Sequence, residues 1–396
     1  MIKINCSHSE DFLNRYEGNV INQGLLPSFN LMVSRETGLE QQRISTFFTP
    51  AFIKSLVLCN ADELYEKIVT IYDNFHELSE RYCLEYYLKD IRLDSSIASM
   101  PIQKNTDKDL IRIIHEQTLA ELKALSEERQ SIYLPVIINN MEGTTVASEI
   151  KRQLKLLNSM KAGNHTLSDE IKALFPVWVN EISNIFDYSS MSRSFGHEIT
   201  HSLNFDVCPY CNNEDIETID VEGAETRPDL DHFYPQSKFP FLALTLSNLI
   251  PSGYRCNRTY KSANSMFGYV HPYITGVGQN TIFDFNYMFD EGRTASAINI
   301  KVNKLNDNLD KNLGLFKVEV NHNKRNVKDW FLLLEERYQM LVNSDNDCLD
   351  EVLNDDNLIR QRLDIDLNKS PTTVLFQKLK IDALNYLSGR EYEISD

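Results

Sequence analysis

Between Cys208 and Lys261 the sequence collects residue types that bind metal ions and move protons. The stretch opens with Cys208-Pro209-Tyr210-Cys211 and passes through Asp231-His232. It continues with Asn248-Leu249-Ile250-Pro251 and closes with Cys256-Asn257 and then Lys261. A C-x-x-C pair closes a tight turn that aims two thiolates at one zinc ion, and Cys256 offers a third. Hydrolysis of a phosphodiester needs a base for the attacking water, and histidine is the side chain best poised for that near neutral pH. His232 is the candidate. The leaving oxygen gains negative charge, which a divalent cation stabilises. Mg²⁺ or Mn²⁺ takes oxygen ligands, commonly one or two from protein. The Asp231 carboxylate and the Asn257 side-chain carbonyl supply two. Asn257 follows Cys256, so zinc at Cys256 would also fix a ligand of the catalytic ion. If a helix begins near Cys256, Lys261 shares a face with Asn257. Lys261, Arg258 and Arg255 are then the cations expected at a phosphate.

Geometry sets one condition. Adjacent residues of a regular strand face opposite ways, so Asp231 and His232 share a site only where the chain bends. Pro235 points to a short strand.

In this order the residues resemble the HNH nucleases. Residues 231–251, DHFYPQSKFPFLALTLSNLIP, are similar to HNH proteins of bacterial anti-phage loci, the Septu-type and retron-associated nucleases, which commonly act beside a partner ATPase. The resemblance spans roughly residues 205–273. It implies a ββα-metal fold, a hairpin followed by a helix around one catalytic ion. It further implies Asp231 as metal ligand, His232 as general base, Asn248 as the residue that braces the loop, and Asn257 in the last motif position. DNA is the substrate it favours over RNA. Relatives with four cysteines carry a second C-x-x-C ending just before this Asn. The first member of that pair is Gly253 here. His201, His271, an acidic side chain or a water are open as the fourth zinc ligand.

Two other readings stand beside this one. The module could keep its zinc and bind nucleic acid or a partner without catalysis. Alternatively, His197-Glu198-Ile199-Thr200-His201 fits H-E-x-x-H, the zinc pair of helical metalloproteases with Glu as base. That reading needs a third ligand, for which Glu214, Glu217 and Glu222 are available. Ser192, Ser194 and Gly196 suggest a loop or a helix start just before it. Gly276-Val277-Gly278 is too short for a phosphate loop and no G-x-x-x-x-G-K-[ST] occurs, so any ATPase belongs to a partner.

The elements that must position these residues are mostly helical. Thr49 and Pro50 form an N-cap and first-turn pair. Leu64, Ile68, Ile71, Phe75 and Leu78 follow helical spacing. Helices are expected over 109–129, 147–160, 330–342, 349–363 and 373–387. A further helix starts near Ser168, with a restart at Pro176. Short strands are expected over 282–289 and 297–302. The expected class is mainly α with an embedded zinc-containing ββα-metal module. Three regions follow: helical 1–195 for partner or substrate binding, the module at 196–278, and mixed then helical 279–396.

Composition narrows the class. The chain has 396 residues and a formal net charge of −17, which alone opposes binding to phosphates. Basic residues are nevertheless concentrated over 227–261 and 301–328, and the tail from Glu335 is acidic. Cys6, Cys59, Cys83 and Cys348 are scattered, which does not read as a disulfide framework. No run approaches the roughly 20 apolar residues that span a bilayer. The first residues, MIKINCSHSEDFL, lack the features of a signal peptide. These readings point to a cytoplasmic protein with no membrane contact.

Overall fold

The computed structural model describes residues 1–395 apart from 6, 94, 204, 288–293 and 345. Cys6 and Phe289 therefore lie outside the described residues. The fold is mainly helical, with two separate two-stranded antiparallel sheets among the described residues. Among the described residues no helix is long and apolar enough to cross a membrane.

Local sequence accounts for most helix boundaries. The Pro50–Val57 helix starts where Thr49 accepts a hydrogen bond from Phe52 N, with Pro50 in the first turn. Ser168 caps Asp169–Lys172 in the same way, and Val177–Ile185 starts after Pro176. The stripe of Leu64, Ile68, Ile71, Phe75 and Leu78 is buried throughout, but it spans two helices. Leu64–Asn74 and His76–Tyr82 meet at Phe75, which leaves helical geometry at φ −134°. The helix expected over 349–363 is likewise divided into Asn346–Leu353 and Asp356–Leu363, because Asp355 caps the second through Asn357 N and Leu358 N. The last helix is shorter than its apolar pattern, Gln377–Ser388.

The first sheet pairs β1 (Asp229–His232) with β2 (Leu249–Ser252), with Asp231 opposite Ile250 and His232 opposite Leu249. A short helix of π type, Arg255–Lys261, follows within three residues. Its Ser262 N donates to Asn257 O at 2.9 Å, five residues back. The second sheet pairs β3 (Phe283–Tyr287) with β4 (Ile298–Val302). The last helix holds β3 through Asp382, which accepts from Ile282 N and Phe283 N at 2.9 and 3.0 Å.

Buried side chains from all three sequence regions form one contiguous core. The 16-residue connection between β1 and β2 takes a large part in it. Phe233, Phe239, Phe241, Leu242, Ala243 and Leu244 are all buried. The N-terminal helices grip this connection at defined points. Tyr16 OH donates to Leu244 O at 2.7 Å, and Thr245 Oγ1 donates to Leu56 O at 3.0 Å. The Tyr72 ring meets Phe241 edge-on at 5.3 Å. The N-terminal segment also crosses the cysteine turn, where Ile2 N donates to Pro209 O at 2.7 Å. It passes so close to Gly276 that a Cβ there would collide with the Lys3 backbone.

Candidate active site and metal centre

A polar cavity of about 390 Å³ opens beside the first sheet. Asp229, Asp231, His232, Asn257, Arg258 and Lys261 line it, with Arg227, Tyr188 and Ser192. Asp229 and Asp231 are two apart on β1, so the period of two sends both carboxylates to one face. His232 is adjacent to Asp231 yet lines the same cavity, because β1 ends at His232 and the chain bends at Phe233 and Tyr234. The bend required by the sequence is therefore present.

His232 is held on two sides. Its Nε2 lies 3.0 Å from Ala243 O, a contact that only a protonated Nε2 can make as a hydrogen bond. The Tyr188 ring packs edge-on at 4.5 Å. The carbonyl thus selects the tautomer whose Nδ1 carries the free lone pair. Burial pulls the His232 pKa down to about 4, against the opposing effects of the Ala243 hydrogen bond and the Asp231 charge. At neutral pH the imidazole is an uncharged base.

Asp231 is 3% exposed, and both of its oxygens are engaged. Tyr210 OH donates to Oδ2 at 2.7 Å and Lys261 Nζ to Oδ1 at 2.9 Å. Lys261 also donates to His232 O at 2.7 Å, and its side chain is 1% exposed. Lys261 was expected at a phosphate. It is instead a buried counter-ion for Asp231 and a clamp on the end of β1, since the turn after Cys256 carries Nζ inward.

Asn257 Nδ2 donates to Asp229 Oδ2 at 3.2 Å. Arg258 grips the same carboxylate with Nε and an Nη at 2.8 and 2.9 Å, while remaining largely exposed. Arg255 turns away from the cavity, with Nε 4.0 Å from Glu214. It does not join Arg258 as the sequence led one to expect. Asn248 is fully buried and does not line the cavity. Its Oδ1 accepts from Tyr234 N at 2.8 Å, and its Nδ2 donates to Tyr234 O and Leu242 O at 3.0 and 3.2 Å. It closes the connection that carries Ala243.

Several site residues escaped the sequence reading. Asp229 and Arg227 stand two and four residues before Asp231, and that spacing was a usable signal. Tyr188, Ser192 and Tyr210 had none. Arg227 lies across the preceding helix, donating to Ser192 Oγ at 2.7 Å, and Gly196 leaves room for its guanidinium.

Cys208 and Cys211 flank Tyr210 in sequence, and Cys256 joins them in space. Their sulfurs are all within 4.8 Å of one another and buried. The turn is closed by Asn212 N donating to Cys208 O at 2.8 Å, with Asn212 in the left-handed region at φ 53°. Without a cation three adjacent buried thiolates are unstable. Burial pushes Cys208 up, hydrogen bonds to its neighbours push Cys256 up, and hydrogen bonds from both hold Cys211 well down. Three convergent soft donors fit zinc. His201 is exposed. His271 packs on Phe233 at 4.2 Å and accepts from Tyr273 N at Nδ1. Neither belongs to the cysteine cluster.

The H-E-x-x-H residues lie inside one helix, Tyr188–Leu203. Ser192, Ser194 and Gly196 are part of that helix too, contrary to the loop or helix start read from their types. Glu198 is taken up by Arg15, with one contact at 3.0 Å. Among the described residues the only convergent set of three metal-binding side chains is the cysteine cluster. No family model, curated protein or solved structure matches the chain.

Proposed function

We propose that the chain is a metal-dependent endonuclease of the HNH type that hydrolyses phosphodiester bonds of DNA. The observation that carries this reading is the fixed tautomer of His232: its Nε2 is committed to Ala243 O, and it lines one cavity with Asp231, Asp229 and Asn257. The hairpin followed by the Arg255–Lys261 helix supports a ββα-metal module.

The donors in the cavity are oxygens of two carboxylates and an amide, which suits Mg²⁺ or Mn²⁺. Asp231 and Asn257 would hold the ion, with Asp229 beside them, and it would supply positive charge for the leaving oxygen. His232 Nδ1 takes the proton of the attacking water, and its neutral state at pH 7 leaves it free to do so. Lys261 and Tyr210 hold the Asp231 carboxylate in place. Arg258 and Arg227 are the cations that the cavity offers to a phosphate. Cys208, Cys211 and Cys256 would hold a structural zinc that fixes Asn257 through its neighbour. Partnership with an ATPase and a role in anti-phage defence rest on the sequence resemblance. The net charge of −17 agrees with a chain that needs help to hold nucleic acid.

The test offers the purified chain plasmid DNA, RNA and casein with Mg²⁺ or Mn²⁺. DNA cleavage that is lost in His232→Ala and kept in Glu198→Ala is the expected result. Casein cleavage kept in His232→Ala and lost in Glu198→Ala would overturn the proposal.

A further inference from the structure

Among the described residues the three-cysteine cluster lacks the fourth donor that a closed structural zinc site requires. Position 253, which has C-x-x-C spacing to Cys256, is glycine. The space above it is filled. A Cβ built on Gly253 would overlap the carboxyl end of Glu214 and would lie 2.7 Å from its Cγ. Glu214 reaches this point because its backbone is tied to the cysteine turn, where Cys208 N donates to Glu214 O at 2.9 Å. The carboxylate is held only loosely there. Its contacts are Arg255 N at 3.4 Å and Arg255 Nε at 4.0 Å.

We infer that Glu214 is the fourth zinc ligand, a carboxylate that replaces the side chain missing at Gly253. The inference rests on the zinc reading of the cysteine cluster. Glu214 is not within the 4.8 Å set formed by the sulfurs, so its side chain turns toward them as the ion binds. The weak hold of Arg255 permits that movement. A zinc ion with three thiolates and one carboxylate carries two net negative charges. Arg255 and Lys324 both lie near the cysteines and Glu214 and balance that charge. Arg255 thereby has a role beside the zinc rather than at a phosphate. The glycine and the glutamate form one device: either residue alone makes little sense, since any side chain at 253 displaces the carboxylate.

The experiment uses the full chain. Zinc per chain is measured by elemental analysis, zinc affinity by competition with a chromogenic chelator, and the donor set by the absorption spectrum of the Co²⁺-substituted protein. Wild type should bind one zinc. Glu214→Gln should bind it at least about 10-fold more weakly, since even residues behind the direct ligands change affinity by about 10–100-fold. Glu214→Ala combined with Gly253→Cys should recover affinity and move the Co²⁺ spectrum from three thiolates to four. Wild-type affinity and spectrum in Glu214→Gln would overturn the inference while leaving the zinc itself in place. Failure of the double variant to recover would also overturn it, by showing damage to the fold rather than loss of a ligand. A wild-type chain without zinc, with unchanged melting in Cys208→Ser, would remove the zinc reading and this inference with it.

Discussion

Lys261→Met separates two roles for a cation at this site. In the structure Lys261 and Asp231 form an ion pair at 2.9 Å, with side chains 1% and 3% exposed. Removing one partner of such a pair leaves an uncompensated buried charge and costs about 3–5 kcal/mol. Unfolding entropy is about 2.1 cal/mol/K per residue. For a chain of this length that is roughly 0.8 kcal/mol/K if it unfolds as one unit, so the melting temperature should fall by about 4–6 °C. Two further arms locate the cause. Adding Asp231→Asn to Lys261→Met should restore part of the loss, because the orphaned charge is gone. Saturating Mg²⁺ or Mn²⁺ should stabilise Lys261→Met more than wild type, because an ion at Asp231 replaces the missing ammonium. At 100 times its Kd a ligand contributes about 2.7 kcal/mol. Urea and thermal unfolding followed by circular dichroism provide the readout. Unchanged stability in Lys261→Met with weakened DNA binding would refute the counter-ion role and return Lys261 to the phosphate.

Asn248→Ala removes three hydrogen bonds of 2.8–3.2 Å in a fully buried position. It should cost about 3 kcal/mol and lower catalysis further by loosening Ala243; a stability loss under about 1 kcal/mol in urea would contradict this. Tyr210→Phe deletes the 2.7 Å hydrogen bond to Asp231 Oδ2. The expected cost is about 1.5–3 kcal/mol, the range for bonds to charged groups. Burial holds His271 at about 3 and His322 at about 4. Both are protonated more readily when unfolded, so their stabilising effect is complete above about pH 6.5 and is lost as pH falls toward 4. For His322 the loss approaches about 3 kcal/mol. His322→Asn should flatten that part of the pH profile, and a variant profile parallel to wild type would refute it.

The candidate groups of the site were legible from residue type and order. A histidine beside an aspartate, a later asparagine, a C-x-x-C pair and a further cysteine stand out because few side chains can act as base, hard ligand or soft ligand. Helices with local signals were readable for the same reason: Thr49, Ser168 and Pro176 act within one turn of themselves. Where an apolar stripe ran through Phe75, the sequence could not show the break, because burial of both halves gives the same pattern. Tertiary structure decided what distance along the chain conceals. It put Lys261 on Asp231 rather than on a phosphate, turned Arg255 toward Glu214, and brought Arg15 to Glu198 across 183 residues. It also chose the tautomer of His232, through a carbonyl whose position depends on helices more than 150 residues away. Sequence determines which groups can do chemistry, because that is a property of the side chain. Which of them are free to do it depends on what each is paired with, and in this protein those partners come from distant parts of the chain.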